Sequence, residues 1–178
     1  MGFITRSLWQ GAVAGAAGAV AITLSEKLEQ SRTGRPDSYV PGRVLLRLAG
    51  RSDRTDRPEA WNWALHAGQA VAVGVVRGAM ANAGLRGPWA SAMFTVVRLT
   101  SDQILENATG VGAPPWTWPR GELAVDLVHK AVYGFTTGAV ADLLAARSGP
   151  GPGQVHAAKV RGRRHGSGPI PRNQALSR

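Results

Sequence analysis

The chain has 178 residues, which suits one domain, with a mean hydropathy of -0.10 and a formal net charge of +10. It contains no cysteine, which excludes disulfides and thiolate metal sites. Polar residues are concentrated in residues 26–60 and 147–178, so the rest of the chain is more apolar than the average. We therefore predict an all-α fold in which residues 1–146 form a small polytopic membrane bundle of four helices.

The first predicted helix, residues 8–28, contains the uncharged segment 7–25, built mostly from Ala, Gly, Val, Leu and Ile. That segment is close to the roughly 20 residues that cross a bilayer as a helix. Trp9 near its start is typical of a lipid boundary. A cleaved signal peptide is the alternative, because residues 19–21 resemble a cleavage site.

The polar loop 29–59 follows and contains several Gly and Pro residues that break regular structure. Within it, Val44–Leu48 with Arg43 and Arg47 can form a short basic amphipathic turn on the membrane surface. An ordinary loop segment packed on the protein explains the same pattern.

The second predicted helix spans residues 60–83 and begins with Trp61 and Trp63, as in an aromatic belt. Arg77 near its far end is expected to extend along the helix to the interface. Residues 88–107 form the third helix, and Pro88 suits its first turn.

The fourth predicted helix covers residues 121–146, and Ser148-Gly149-Pro150 ends it. In this helix only residues 131–141 are free of charge, and the third helix has a similar window at 87–97. The first two helices are therefore predicted as clear spans and the last two as marginal ones.

The tail, residues 147–178, carries seven basic residues and no acid, and it is rich in Gly, Pro and Ser. It cannot bury enough apolar surface to fold, so we predict that it is disordered. It can contact anionic lipid or nucleic acid, while the simpler interpretation is a solvated tail that helps to fix topology.

Small residues recur at helical spacing on three of the predicted helices. They let helix backbones approach closely, which favours association between helices within a membrane. The predicted helix-packing positions are Gly11, Gly15, Gly18, Gly74, Gly78, Gly134 and Gly138.

Polar side chains within the helices are expected to face the bundle interior, because a charge facing lipid is costly. On the fourth helix they follow i, i+3, i+4, i+7 spacing and share one face. The predicted intramembrane polar network comprises Glu26, His66, Gln69, Arg98, Asp102, Asp126, His129, Lys130 and Tyr133. It can be a proton or ion path, or it can only hold the helices together, with Lys130 neutralising Asp126.

No phosphate-binding loop, dinucleotide fingerprint, metalloprotease motif or nucleophile elbow occurs, and the four histidines are scattered. We therefore predict no enzyme activity, no catalytic residues, no cofactor and no metal site.

A family resemblance rests on the stretch 114–123, followed by Asp126, His129-Lys130, Val132-Tyr133-Gly134 and Gly138. These residues resemble the last helix of small bacterial inner-membrane proteins of the YagU-like type. Residues 11–15 with Glu26 are similar to the first helix of that family, so the resemblance covers residues 8–146. It implies a multi-helix membrane fold and little about activity. The long charged segment 29–59 departs from that family.

The leading functional hypothesis is a small integral membrane protein of the bacterial inner membrane with a structural or accessory role. Its predicted partners are the lipid bilayer and either a second copy or a membrane complex. A transporter or ion-conducting protein is the first alternative, and a soluble helical protein that binds nucleic acid through its tail is the second. Basic residues are balanced between the two sides, so cytoplasmic termini are predicted from the acid-free tail.

Overall fold

The computed structural model describes residues 2–51 and 58–159, and over these ranges it contains helices and no strand. The predicted all-α fold is confirmed, and the four predicted long helices are all present as α1, α3, α4 and α5. The helices are α1 (Phe3–Thr33), α2 (Val40–Leu48), α3 (Glu59–Ala83), α4 (Pro88–Ala108), α5 (Arg120–Ala146) and α6 (Pro152–Lys159), with a 3-10 turn (Pro115–Thr117) before α5.

Glycines in the left-handed region end two of the long helices. Gly34 has φ 71°, and its N–H donates to the Gln30 carbonyl 2.9 Å away, so α1 continues past the predicted end at Leu28. Gly84 has φ 104° and ends α3 in the same way, with Leu85 N donating to the Met80 carbonyl. The short turn that follows allows α4 to run back along the bundle.

The four long helices form an antiparallel bundle in which α1 packs along α3 and α5, and α4 packs mainly on α5. At one end, Gln10 Nε2 donates to the Leu144 carbonyl (3.4 Å) and Asn82 Nδ2 donates to Gln10 Oε1 (2.8 Å). At the other end, Ser25 Oγ lies 2.8 Å from His129 Nδ1. We call the first the terminal end, because α1 begins and α5 ends there, and the second the cavity end.

Glycines bring the backbones of α1 and α3 into contact. A Cβ atom on Gly11 would lie 2.5 Å from Val75 Cα, and one on Gly74 would lie 2.5 Å from the Gly11 carbonyl oxygen. A Cβ on Gly78 would lie equally close, 2.5 Å, to the Ser7 carbonyl oxygen. No side chain fits between these helices, so their separation is set by backbone contact.

The remaining predicted packing glycines also lie at helix contacts. Gly15 faces the α3 backbone, and Gly18 faces Tyr133 and Thr137 of α5. On α5, Gly134 and Gly138 face side chains of α4. The small-residue faces thus hold α1 between α3 and α5, and α5 against α4.

The segment predicted as a basic amphipathic turn forms α2, which is longer than expected and packs against α3. Val44 and Leu46 are buried, and Gly42 N donates to Asn62 Oδ1 of α3 over 2.9 Å. The structure therefore agrees with the alternative in which this segment packs on the protein.

The prediction of a tail disordered from residue 147 is wrong for residues 152–159, which form α6 against the end of α3. Gln154 is buried, and its Oε1 accepts a hydrogen bond from Gly151 N over 3.0 Å. Gly84 makes room for this contact, because a Cβ there would lie 2.9 Å from Gln154 N. The rest of the predicted tail, 160–178, and residues 52–57 of the polar loop lie outside the described residues.

One helix of the described ranges, α1, is long and apolar enough to cross a membrane, with a mean hydropathy of 1.3 in its best window. This weakly suggests a membrane protein, and a signal sequence or the core helix of a soluble protein passes the same test. The second predicted clear span, α3, does not pass this test. It carries Arg77, as α4 carries Arg98 and α5 carries Lys130, and such charged residues lower the mean hydropathy of a helix.

Candidate functional site

A cavity of ≈570 Å³ lies at the cavity end of the bundle. All four long helices line it, and parts of the segments 35–44 and 111–118 lie around it. Its size falls in the range typical of small-molecule sites, roughly 300–1,000 Å³. The cavity is therefore the candidate functional site.

The lining of the cavity is acidic although the chain is strongly basic. It includes seven of the eleven Asp and Glu residues of the chain and four of its 21 Lys and Arg residues. With neutral histidines, the lining thus has an excess of three negative charges, against +10 for the whole chain. Such a surface attracts positively charged groups.

Asp102 of α4 is the centre of a charged cluster in this lining. Its carboxylate lies 2.8 Å from Lys130 Nζ and 3.3 Å from Arg98 Nε, and it accepts a 2.8 Å hydrogen bond from Gln69 Nε2. Lys130 also lies 3.2 Å from Asp126 Oδ1. The predicted Asp126–Lys130 pair is thus present, and Asp102 is the closer partner of the lysine. The positive charges of Arg98 and Lys130 and the negative charges of Asp102 and Asp126 therefore cancel within this cluster.

Tyr133 lies on the same face of α5, one turn from Lys130. It is fully buried, and its hydroxyl donates to the Ala70 carbonyl over 2.6 Å. The Arg98 guanidinium lies over the Tyr133 ring at 5.1 Å, a cation–π geometry, and the Phe94 ring lies 5.8 Å away. Tyr133 and Phe94 thus separate the charged cluster from the terminal half of the bundle.

The two histidines occupy different walls of the cavity. His129 Nδ1 lies 2.8 Å from Ser25 Oγ, and its Nε2 lies 3.8 Å from Glu29 Oε2. His66 meets the edge of Trp63, with ring centroids 6.3 Å apart. The His129 ring therefore joins α1 to α5 at the cavity end, whereas His66 contacts a residue of its own helix, α3.

The structure brings the predicted polar network together at one end of the bundle. Eight of its nine members line the cavity, and Tyr133 lies directly below the charged cluster. The eight lining members are Glu26, His66, Gln69, Arg98, Asp102, Asp126, His129 and Lys130.

Ion pairs at the rim hold the loop after α1 to the end of that helix. Arg35 Nε and Nη2 donate to Glu29 Oε2 over 3.0 and 2.8 Å, and this hydrogen bonding raises the pKa of Arg35. Lys27 donates to Asp37, which lowers the pKa of the Asp37 carboxyl. These contacts fix residues 35–37 beside the cavity.

Sequence reasoning missed a second buried charge cluster at the terminal end. Arg77 was expected to extend to the interface, and this prediction is wrong, because its side chain is 0% exposed. Its Nη2 lies 2.7 Å from Asp142 Oδ1, and its Nη1 donates to the Leu85 carbonyl over 3.3 Å. Asp142 Oδ2 also accepts from Gly87 N over 2.7 Å. The sequence feature that could have indicated this pair is Asp142, an acidic residue without an assigned partner at the corresponding level of α5.

Within the described ranges, no three His, Asp or Glu side chains are grouped to hold a metal ion. No protein-family model, no curated protein and no solved structure matches the chain. The resemblance to YagU-like proteins therefore stays a prediction.

Proposed function

We propose that the protein is an integral membrane protein that crosses the bilayer with α1, α3, α4 and α5, and that its acidic cavity receives a small charged solute. One observation carries the membrane assignment. Many large apolar side chains lie on the outside of the bundle, while its interior contains many small residues and several charged ones.

The exterior of the long helices is rich in large apolar residues. Leu24 of α1 and Leu143 of α5 are 65% and 69% exposed. Soluble monomers rarely expose wide contiguous apolar patches, whereas lipid requires an apolar exterior. Other exposed apolar residues are Ile4, Leu8, Val13, Val20 and Leu28 on α1, Trp63 and Val76 on α3, Trp89, Met93, Val96, Val97 and Ile104 on α4, and Leu127, Val128 and Phe135 on α5.

The interior has the opposite composition. Among the described residues the largest fully buried side chain is that of Arg77, and Gly, Ala, Ser and Thr make many of the helix contacts, together with the larger Ile22, Phe94 and Tyr133. A water-soluble core normally buries Leu, Ile, Val and Phe and leaves unpaired charges outside. Membrane bundles instead use small residues at contacts and direct ionisable residues inward.

The tryptophans support two interfacial belts. All six lie in helix ends or connecting segments, and none lies at mid-height of a long helix. Trp and Tyr are enriched at both membrane–water interfaces. The tryptophans are Trp9 and Trp89 at the terminal end, and Trp61, Trp63, Trp116 and Trp118 at the cavity end.

The helix lengths agree with four crossings. The long helices have 31, 25, 21 and 27 residues, each at or above the roughly 20 needed to span. An even number of crossings leaves both termini on one side. We propose the cytoplasmic side of a bacterial inner membrane, where the basic tail meets anionic lipid.

The packing of α1 supports a retained helix rather than a cleaved signal peptide. Gly11 and Gly15 contact the α3 backbone, and Ser25 meets His129 of α5. Cleavage after residue 21 would remove most of the central helix of the bundle. The mature chain is therefore expected to carry α1, which intact mass measurement of the membrane-extracted protein checks.

Membrane fractionation is the direct test of the proposed location. We expect the protein to remain in the membrane pellet after both high-salt and alkaline carbonate washes, and to be monodisperse only in detergent. Release by either wash would contradict four crossings. If high salt is already enough to release the protein, the soluble protein that binds nucleic acid through its basic tail is the better conclusion.

Carboxylates without partners favour a solute-handling role over a purely structural one. Glu26 and Glu106 line the cavity, yet neither forms an ion pair with a Lys or Arg of the described segments. Groups that only hold helices together are expected to be paired, as Asp102 is with Lys130. Half-buried carboxylates outside ion pairs are typical of a binding site.

We expect Glu106→Gln to leave the melting temperature in detergent unchanged or raised, because it removes an unpaired charge. Asp102→Asn is the matched variant, and it should lower the melting temperature, because Lys130 and Arg98 lose the carboxylate they share. Circular dichroism during heating measures both. If Glu106→Gln is as destabilising as Asp102→Asn, the cavity carboxylates are structural and the accessory role is the better conclusion.

A further inference from the structure

We infer that the cavity binds an α-amino acid with a cationic side chain, held by its carboxylate at Arg98 and by its side-chain cation among Glu26 and Glu106. The inference rests on the proposed function and names its solute class. The side-chain cation of such a ligand meets carboxylates that form no ion pair within the described residues, and its carboxylate meets an Arg98 N–H that has no hydrogen-bond partner there.

The anionic part of the site consists of carboxylates outside the balanced cluster. Asp102 and Asp126 already neutralise Arg98 and Lys130. Of the lining carboxylates that form no ion pair within the described ranges, Glu59 and Glu122 are exposed, whereas Glu26 on α1 and Glu106 on α4 are partly buried in the wall of the cavity. This excess of negative charge suits a solute with a net positive charge.

Arg98 supplies the independent observation. Its side chain is 4% exposed and lines the cavity, and its Nη1 has no hydrogen-bond partner among the described atoms. Asp102 does not satisfy all the N–H groups of the Arg98 guanidinium, because its carboxylate also contacts Lys130 and Gln69. A buried guanidinium with a free N–H calls for an oxygen acceptor, and a carboxylate is the acceptor whose geometry it matches.

The spacing of these groups selects an elongated ligand. Arg98 and Glu106 are eight residues apart on α4, which is about 12 Å along the helix axis. Both side chains line the same cavity, so only an elongated ligand contacts the two together. A cavity of ≈570 Å³ accommodates such a molecule and exceeds what a single metal ion needs.

Isothermal titration of the full-length protein in detergent tests the inference with three matched probes. L-Lysine carries both groups, cadaverine lacks the carboxylate, and L-norleucine lacks the side-chain ammonium. We expect L-lysine to bind at least tenfold more tightly than either of the others. Equal binding of cadaverine would overturn the role of Arg98, equal binding of norleucine would overturn the role of the glutamates, and no saturable lysine binding would overturn the site.

Two single substitutions locate the site and change net charge by the same amount. Glu106→Gln should weaken lysine binding at least tenfold and leave norleucine binding unchanged. Thr5→Lys, an exposed position at the terminal end, should leave lysine binding unchanged. Equal losses in the two variants would mean that overall charge rather than the cavity sets affinity, and would overturn the assignment.

Membrane extraction separates this inference from the proposed function. A protein that resists carbonate but binds no lysine is a membrane protein with a different solute, and only the ligand class fails. A protein that binds lysine but leaves the membrane in carbonate retains the site and loses the four crossings.

Discussion

Asp142→Ala will leave the Arg77 guanidinium buried without its counter-ion, and we expect it to be among the most destabilising single substitutions in the bundle. Arg77 is 0% exposed, and its Nη2 lies 2.7 Å from Asp142 Oδ1. Removing one partner of a buried pair typically costs about 3–5 kcal/mol. Asp142 also accepts the Gly87 N–H, but its side chain is 21% exposed, so we expect a loss in the lower part of that range.

The expected loss of stability comes from the desolvation of the Arg77 guanidinium as well as from its lost attraction to Asp142. Arg77 lies between α3, α4 and α5, and it cannot reach solvent without moving away from Ser91 and the Leu85 carbonyl. In a buried site the uncompensated charge keeps its full desolvation cost. Removing one member of the pair is therefore expected to cost much more stability than replacing both members.

Unfolding in mixed micelles, followed by circular dichroism as the fraction of denaturing detergent rises, measures this loss. The double variant Arg77→Met/Asp142→Leu is the control, because it removes both charges and keeps comparable side-chain volume. We expect it to recover most of the stability lost in Asp142→Ala. An Asp142→Ala protein as stable as the original chain would contradict a stabilising pair between Asp142 and the buried Arg77 guanidinium.

Much of the fold could be predicted from local patterns. Gly84 and Gly87-Pro88 mark the turn between α3 and α4, and the structure has that turn. On α5, Asp126, Lys130 and Tyr133 share a face by spacing alone, so their meeting at one wall follows from helix geometry. These are features in which sequence distance fixes spatial distance.

Features that depend on contacts between distant segments could not be predicted. Arg77 and Asp142 are 65 residues apart, and the unmatched acid on α5 indicates a partner only once the packing of α3 against α5 is known. Helix α6 forms where Gln154 enters the space beside Gly84, a contact that composition does not encode. Composition indicated disorder there because it describes only the segment itself and contains no information about the surface of α3 against which the segment packs.

Mean hydropathy does not distinguish the faces of a helix. It averages over all of them, so buried charged residues lower it as much as exposed ones do. Arg98 and Lys130 lower the averages of α4 and α5 although their side chains are 4% and 14% exposed. The faces of the same helices that point outward carry Val96 and Leu143, both well exposed.

Gly74→Ala is the second substitution with a large expected effect, and Gly68→Ala on the same helix is its matched control. A Cβ on Gly74 would lie 2.5 Å from the Gly11 carbonyl oxygen and 2.6 Å from Gly15 Cα, which are backbone atoms that cannot rotate away. Adding a methyl group therefore forces α1 and α3 apart, at a cost of about 1–3 kcal/mol. A Cβ on Gly68 meets nothing within 4 Å.

The control separates packing from helix propensity, because both substitutions exchange the same residue types within α3. Gly68→Ala should stabilise the protein by up to about 1 kcal/mol, since alanine favours a helix over glycine. Opposite signs in the same unfolding assay would place the effect of Gly74 in the contact with α1. If both variants were stabilised, α1 would not lie against α3 by backbone contact, and the interior made of small residues, on which the membrane assignment depends, would be wrong.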